Sequence, residues 1–346
     1  MIQMLKNSVR RLSSLFSGKN AEYSARLVAE LKAYEHCENV HDLPEIFHYW
    51  SNKHVVPLLQ PFGFSSPDAF FYTHLEKVCL ARQGEPVHIV SIGAGNCDLE
   101  IKLAKQLSGQ GCSNFQIDCI DLNPDMLDRG LTAARDGGVQ TLVRFWQKDF
   151  NLWVPEPQFY DAVVANQSLH HVIDLEHLFD SVSLGLKPGA VFLISDMIGR
   201  NGHMRWPEAL TLVQEFWKEL PESYRFNQLM KRQEIEYINH DCSTEGFEGI
   251  RAQDILPLLS RRFSFDFFFP YGNVIFPFVD RAFGHNFSAE KEWDRNFIDR
   301  IQELDESRIL AGEITPNAMI AVLQIGETSP VLRHPNLTPE ACIRRP

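Results

Sequence analysis

Short apolar runs and amphipathic stretches alternate through the middle of the chain. Residues 87–92, Val-His-Ile-Val-Ser-Ile, are rich in β-branched side chains, the pattern of a strand buried on both faces. Gly93 and Gly95 break the run, and from Cys97 onward Leu99, Leu103 and Leu107 fall four apart, on one stripe of a helix. The exchange then recurs. A strand over 115–120 ends at Asp121, and Pro124 opens a helix that stops at Gly137-Gly138. A strand over 141–146 is closed by Lys148-Asp149-Phe150, and one over 160–165 ends at Asn166. A helix over 175–186 stops at Lys187-Pro188-Gly189, before a fifth strand over 190–195. Strand and helix alternating in this way predict an α/β fold, a doubly wound and mostly parallel sheet.

The flanks read differently. Residues 1–84 are mainly helical, with a helix start at Asp42-Leu43-Pro44, and form an N-terminal helical cap over a core at 85–200. After 199 the alternation is interrupted by a helix over 207–220 and a polar stretch, giving an insertion at 201–250. Residues 251–326 return to the core with a helix over 253–260, an aromatic strand over 263–271, a charged helix over 288–311 and a last strand over 317–325. The tail, 327–346, carries Pro330, Pro335, Pro339 and Pro346 and is expected to be disordered. No internal repeat is evident.

Composition narrows the partners. The 346 residues are 44% hydrophobic and 23% charged, enough apolar content for a large core. The net charge of −12 argues against nucleic acid as a partner, since that binding needs a basic face. Seven scattered cysteines without a CxxC pair fit reduced thiols and a cytoplasmic location. No run approaches a membrane span. Residues 1–18 place Ile2, Leu5, Val9, Leu12 and Phe16 at helical spacing among basic residues. That segment reads either as a peripheral membrane contact or transit-like segment, or as an end helix packed on the domain. Oligomeric state is not legible.

A strand, a glycine turn and a helix make a ligand cradle, because glycine admits close backbone approach and a helix start presents free N–H groups. A phosphate loop needs a lysine that is absent here. A dinucleotide fingerprint needs a third glycine where this chain has Asp98, an acid that would repel a pyrophosphate; an NAD-dependent enzyme is the weaker alternative. A sulfonium cofactor carries no phosphate and suits a nearby acid. Asp121 at a strand end can accept hydrogen bonds from ribose hydroxyls, Asp149 can take an adenine amino group beside Phe150, and Asn166 stands at the pocket mouth with Gln167, Ser168, Leu169, His170 and His171.

These motifs taken together, Ser-Ile-Gly-Ala-Gly-Asn-Cys-Asp at 91–98, Ile-Asp-Leu-Asn-Pro-Asp-Met-Leu at 120–127, Lys-Asp-Phe at 148–150, Tyr-Asp-Ala-Val-Val-Ala-Asn-Gln-Ser-Leu-His-His at 160–171 and Leu-Lys-Pro-Gly-Ala at 186–190, resemble the class I S-adenosylmethionine-dependent methyltransferases. The resemblance spans about 85–200. It implies a Rossmann-like sheet of seven strands with the final strand reversed, and S-adenosyl-L-methionine as cofactor. It further implies that Gly93 and Gly95 approach the methionine part, Asp121 the ribose, Asp149 and Phe150 the adenine, and Asn166 the methionine end, with Ala94, Leu122, Met126 and Gln167 also binding the cofactor. Two positions depart from the family: Ser91 stands where an acid is usual, and Cys97 where a third glycine is usual.

Methyl transfer from a sulfonium is an in-line displacement for which positioning is the main demand. A hydroxyl acceptor also gains from a base; His170, His171, His203, His240 and His285 are candidates, with His171, His203 and His240 preferred and one of the His170-His171 pair structural. Two glycine-flanked polar loops, 199–207 and 240–251, are costly to order without a task. They offer His203, Arg205, Glu248 and Arg251, with Tyr271 at the end of the aromatic strand, as substrate-binding residues. No metal constellation stands out, and a divalent-metal mechanism is not expected. The insertion is similar to that of bacterial methyltransferases associated with polysaccharide or secondary-metabolite genes, which implies a small molecule, sugar or lipid-linked glycan as acceptor, methylated on oxygen. A non-catalytic S-adenosylmethionine-binding protein is the alternative of a different class.

Overall fold

A computed structural model describes residues 20–34, 43–82, 84–244 and 246–344. The start assigned to Asp42 and the amphipathic segment 1–18 lie outside the described residues. The core strands are β1 (Val87–Ile92), β2 (Phe115–Asp121), β3 (Val143–Gln147), β4 (Tyr160–Asn166), β5 (Leu186–Met197), β6 (Ser264–Tyr271), β7 (Ala318–Gln324) and β8 (Val331–Leu332). They form one sheet in the order β8-β6-β7-β5-β4-β1-β2-β3. The pairs β1–β2, β1–β4, β2–β3 and β4–β5 are parallel, whereas β7 runs antiparallel to both β5 and β6. The doubly wound sheet with a reversed seventh strand is therefore present, with β8 added at its edge.

The sequence accounts for the central elements. Val87, Ile89, Val90 and Ile92 of β1 are all essentially inaccessible, as a strand covered on both faces requires. Helix α1 is Asn20–Tyr34, α2 Pro67–Ala81, α3 Asp98–Gly109, α4 Pro124–Asp136 and α5 Leu175–Gly185. Leu99, Leu103, Ala104 and Leu107 form the buried stripe of α3. Among the helices α1 to α5, three starts have side-chain caps: Ser66 accepts from Ala69 N, Asn123 from Asp125 N and Met126 N, and Asp174 from His177 N.

The insertion carries α6 (Pro207–Glu219), followed by α7 (Ala252–Arg262), α8 (Glu292–Leu310) and α9 (Pro339–Cys342). Helical turns over 45–62 dock on α8 through Asp299, which accepts from Tyr49 Oη and Lys53 Nζ, and through Trp50 Nε1 to Gln302 at 2.6 Å. Phe62 and Phe64 pack edge-on against Phe267 of β6 and Phe70 lies tilted against it, so the cap is fused to the sheet by an aromatic seam.

The tail corrects an expectation. Residues 327–344 are ordered: β8 pairs with Phe267 and Phe268 of β6, and Thr328 Oγ1 donates to Phe265 O at 2.6 Å. Arg344 lies over Trp206 at 4.4 Å and pairs with Glu208 at 2.8 Å. Proline cuts the segment into pieces too short to show a period, and the open edge of β6 supplies the order that local composition does not.

Candidate active site

The donor side sits at the C-terminal ends of β1, β2 and β4. Gly93 has φ 68°, and a Cβ placed there would come 2.5 Å from Ser168 Cβ, so only glycine lets β1 and the turn after β4 approach this closely. Asp121 is buried. Its Oδ2 accepts from Gly95 N at 2.8 Å and its Oδ1 from Asn123 N at 2.8 Å, which ties β2 to the glycine turn. Burial raises its carboxyl, and the two backbone donors partly offset that rise. Each carboxylate oxygen keeps a second lone pair for a ribose hydroxyl. Leu122 and Met126 are buried beside it, and Asn166 ends β4 half-buried. Gln167 takes φ 54° and donates its N–H to Ser195 O at 2.7 Å. The bare glycine backbone and the Asp121 acceptors fit the ribose and methionine parts of S-adenosylmethionine.

Asp149 has two jobs. Its Oδ1 caps the turn Phe150–Leu152 by accepting from Asn151 N at 2.9 Å, and its Oδ2 accepts from Tyr23 Oη of α1. Phe150 is buried behind it. Burial and then the Asp149 charge push the Tyr23 phenol up. Tyr23 thus brings α1 onto the expected adenine position, a contact with no local signal in the sequence.

Both atypical positions have explanations. Ser91 Oγ donates to Glu100 Oε1 at 2.6 Å, so a carboxylate reaches this place from α3 instead of from β1. Burial drives the Glu100 carboxyl up to about 7, with the Ser91 hydroxyl pulling the other way. Cys97 keeps the left-handed backbone of the glycine it replaces, at φ 60°. Asp98, to which the sulfonium preference was assigned, is exposed on the outer face with Lys102 and Lys105; the buried acid of this turn is Glu100.

A second cluster, the expected acceptor side, is assembled from distant segments. Asp196 at the end of β5 is wholly buried and accepts from Ser168 N, Leu169 N and His170 Nδ1 at 2.9, 2.7 and 2.6 Å. His171 Nδ1 bonds Glu30 of α1 at 2.8 Å, and Glu30 also accepts from Phe247 N. His203 Nε2 lies 2.5 Å from Glu248 Oε1. Two glycines bring the loops together: Gly202 N donates to Gly249 O at 2.8 Å, and a Cβ on Gly202 would strike Asp241 Oδ1 at 1.9 Å.

The electrostatics separate the histidines. Burial alone would depress His170, but the Asp196 charge and hydrogen bond, with Glu248, raise it to about 10. His171 is also raised, the Glu248 charge and the Glu30 bond overcoming burial. Burial lowers His203 in spite of Glu248. The three imidazoles together hold Glu248 well below the usual carboxylate range against its burial.

The remaining sequence candidates fall into three groups. His171 and His203 both contact Glu248. Arg205 is buried beside them on the same loop, and neither its Nε nor its Nη1 has a protein partner. Tyr271 packs against Trp50 and Phe276, and burial followed by the Asp196 charge pushes its phenol up to about 12. His240 is exposed and is not brought into the cluster. Arg251 clamps the insertion to α5 through a two-pronged contact with Glu176, which pulls that carboxyl down to about 2, and through Ile173 O at 2.9 Å. His170, His203 and Glu248 also place one ligand atom each within 4.8 Å of one another, a constellation that the linear sequence does not reveal. Asp196, Glu30, Tyr23 and Glu100 carry no motif of their own.

Residues 90–192 match the sequence model of a family described as a methyltransferase domain. No curated protein matches the chain. Among solved structures the chain is similar to geranyl diphosphate C-methyltransferase from Streptomyces coelicolor A3(2), in complex with Mg2+, geranyl diphosphate and S-adenosyl-L-homocysteine, at 12% identity over 73% of this chain and 79% of that one, TM-score 0.40. It is similar to the [4+2]-cyclase SpnF at 14% identity over 73% and 81%, TM-score 0.42. It is also similar to the StiE O-MT, residues 961–1257, at 12% identity over 74% and 75%, TM-score 0.40. Likenesses this distant say nothing about the acceptor. The matched segment runs from within β1 into β5 and includes the turns after β1, β2, β3 and β4, so residues 90–192 carry the pattern of a methyltransferase domain.

Proposed function

We propose that the enzyme methylates an oxygen of a small hydroxylated acceptor, of the sugar or lipid-linked glycan kind, that carries an anionic group. The carrying observation is Arg205: a guanidinium 3% exposed, with Nε and Nη1 unpartnered, two residues beyond His203. Buried guanidinium N–H groups without a hydrogen-bond partner are costly even with the Asp280 and Asp305 charges nearby, and a carboxylate or phosphate of the acceptor would satisfy them with charge-assisted bonds.

Bound S-adenosylmethionine supplies a methyl group on a sulfonium with a neutral thioether as leaving group. Gly93 and Gly95 admit the methionine part, Asp121 holds the ribose, and Asp149 with Phe150 receives the adenine. His203, the cluster histidine that burial keeps neutral, accepts the acceptor's proton, and Glu248 stabilises the imidazolium formed. His171, fixed by Glu30, orients Glu248. The six described cysteines are all free, which supports a cytoplasmic setting; among the described residues no helix is long and apolar enough to cross a membrane.

The test is release of S-adenosylhomocysteine against a metabolite and glycan library. On the acceptor found, Arg205→Gln should raise KM about 10–100-fold, with donor affinity unchanged, for loss of a charge-assisted pair. An acceptor without an anionic group, or an unchanged KM, would overturn the reading.

A further inference from the structure

The acceptor-side cluster holds more than a proton-accepting pair. Nε2 of His170 lies 3.4 Å from Glu248 Oε1, Nε2 of His203 2.5 Å from the same oxygen, and Nε2 of His171 3.5 Å from Oε2. The far nitrogens of two of these rings are committed, His170 Nδ1 to Asp196 and His171 Nδ1 to Glu30. A carboxylate behind an imidazole fixes the proton on Nδ1 and turns the Nε2 lone pair outward, the usual backing of a metal-ligating histidine. The two rings lie side by side, with centroids 4.4 Å apart. The spacings to Glu248 of 3.4 and 3.5 Å are also too long for strong hydrogen bonds.

The backbone gives a second, independent sign. His203 sits at φ 56°, directly after Gly202 at φ 65°. A left-handed non-glycine residue persists where its surroundings over-determine it, and such residues cluster at ligand sites. Here the strained residue delivers Nε2 to the one carboxylate that faces all three histidines.

We propose that His170, His203 and Glu248 ligate a divalent first-row transition-metal cation, with His171 beside them and Asp196 and Glu30 as outer carboxylates. The imidazole-rich donor set suits manganese, iron, cobalt, nickel or zinc, whereas magnesium and calcium favour all-oxygen shells. With metal–ligand bonds of about 2.0–2.1 Å, neighbouring ligand atoms sit roughly 3.0–3.3 Å apart. His170 and Glu248 already have nearly that spacing, and the His203–Glu248 contact opens by about half an ångström. The ion's function rests on the oxygen-acceptor reading above. A hydroxyl bound to the ion loses its proton to solvent, and its oxygen forms the new bond to the methyl carbon as the carbon–sulfur bond breaks, the electron pair staying on sulfur. The cluster then acts as a Lewis-acid holder, in place of His203 as base.

Full-length protein stripped with a chelator and titrated with Zn2+ or Mn2+ alone should bind one equivalent, with a rise in Tm. His203→Ala and Glu248→Gln should each weaken binding by 100-fold or more. Asp196→Asn, which leaves the three ligands in place, should weaken it about 10–100-fold. Circular dichroism and S-adenosylhomocysteine affinity report whether each variant is folded, and His203→Gln stands in for one that is not. Absence of a bound equivalent in the wild type, or binding retained in both ligand variants, overturns the site. Metal binding with equal methyl transfer by stripped and loaded enzyme overturns the Lewis-acid role alone. Transfer to nitrogen or carbon with the metal bound overturns the oxygen-acceptor reading and leaves the site standing.

Discussion

The donor side takes its groups from the ends of neighbouring parallel strands, each within a few residues of a glycine, proline or asparagine that ends the strand. The acceptor side draws Glu30, His170, His171, Asp196, His203 and Glu248 from five separate stretches and joins them through one carboxylate. The first is a backbone device, in which parallel strands deliver their C-terminal ends to one edge of the sheet. The second is a side-chain network whose members have meaning only together. A backbone device tolerates exchange of a side chain, as Ser91 and Cys97 show, while a buried network fails when one member leaves its partners unpaired.

That contrast can be broken, and the sharpest blow falls on Asp196. Asp196→Ala strips acceptors from Ser168 N, Leu169 N and His170, and should cost about 3–5 kcal/mol of stability in a urea titration. A loss near zero would mean that the acceptor-side network is not integral to the fold.

Glu100 tests the donor side through pH. Its folded carboxyl is raised from 4.5 to about 7, so the stability tied to its neutral form is complete below pH 4.5 and is lost as the pH climbs through 7. Glu100→Gln should remove up to roughly 3 kcal/mol of that decline. Asp280 and Asp305, both raised to about 6 by burial, leave part of the slope in place. Unfolding curves at pH 5 and 8 check this; parallel wild-type and variant profiles would contradict it.

Asp121→Ala removes the ribose acceptor and should weaken S-adenosylhomocysteine by about 1.5–3 kcal/mol in calorimetry. Unchanged affinity would detach Asp121 from the donor. Tyr23→Phe is the smallest expected effect. It frees Asp149 Oδ2 from α1, and donor affinity should rise by about 0.5–1.5 kcal/mol. A fall would place the Tyr23 hydroxyl in the donor site as a contact.

Much of the fold was legible because its signals are local. β-branched runs, capping residues and glycine stops mark the strands and helices near their true ends, and four strand ends point to one ligand edge. Legibility ended where partners are far apart. The tail, 327–346, reads as disordered without the open edge of β6, and Arg251 reads as a binding residue until Glu176 is found opposite it. Asp98 lies in the motif but faces outward, whereas Glu100, two residues on, turns inward beneath Ser91. By itself the sequence determined the parallel sheet, the glycine turn and the carboxylates of the donor seat, since each follows from periodicity and chain direction over a dozen residues. Only the tertiary structure decided that α1 reaches Asp149, that His240 stands apart, and that three histidines converge on Glu248. Those contacts span up to 126 residues of chain, and no local period encodes which distant side chains a folded core will bring together.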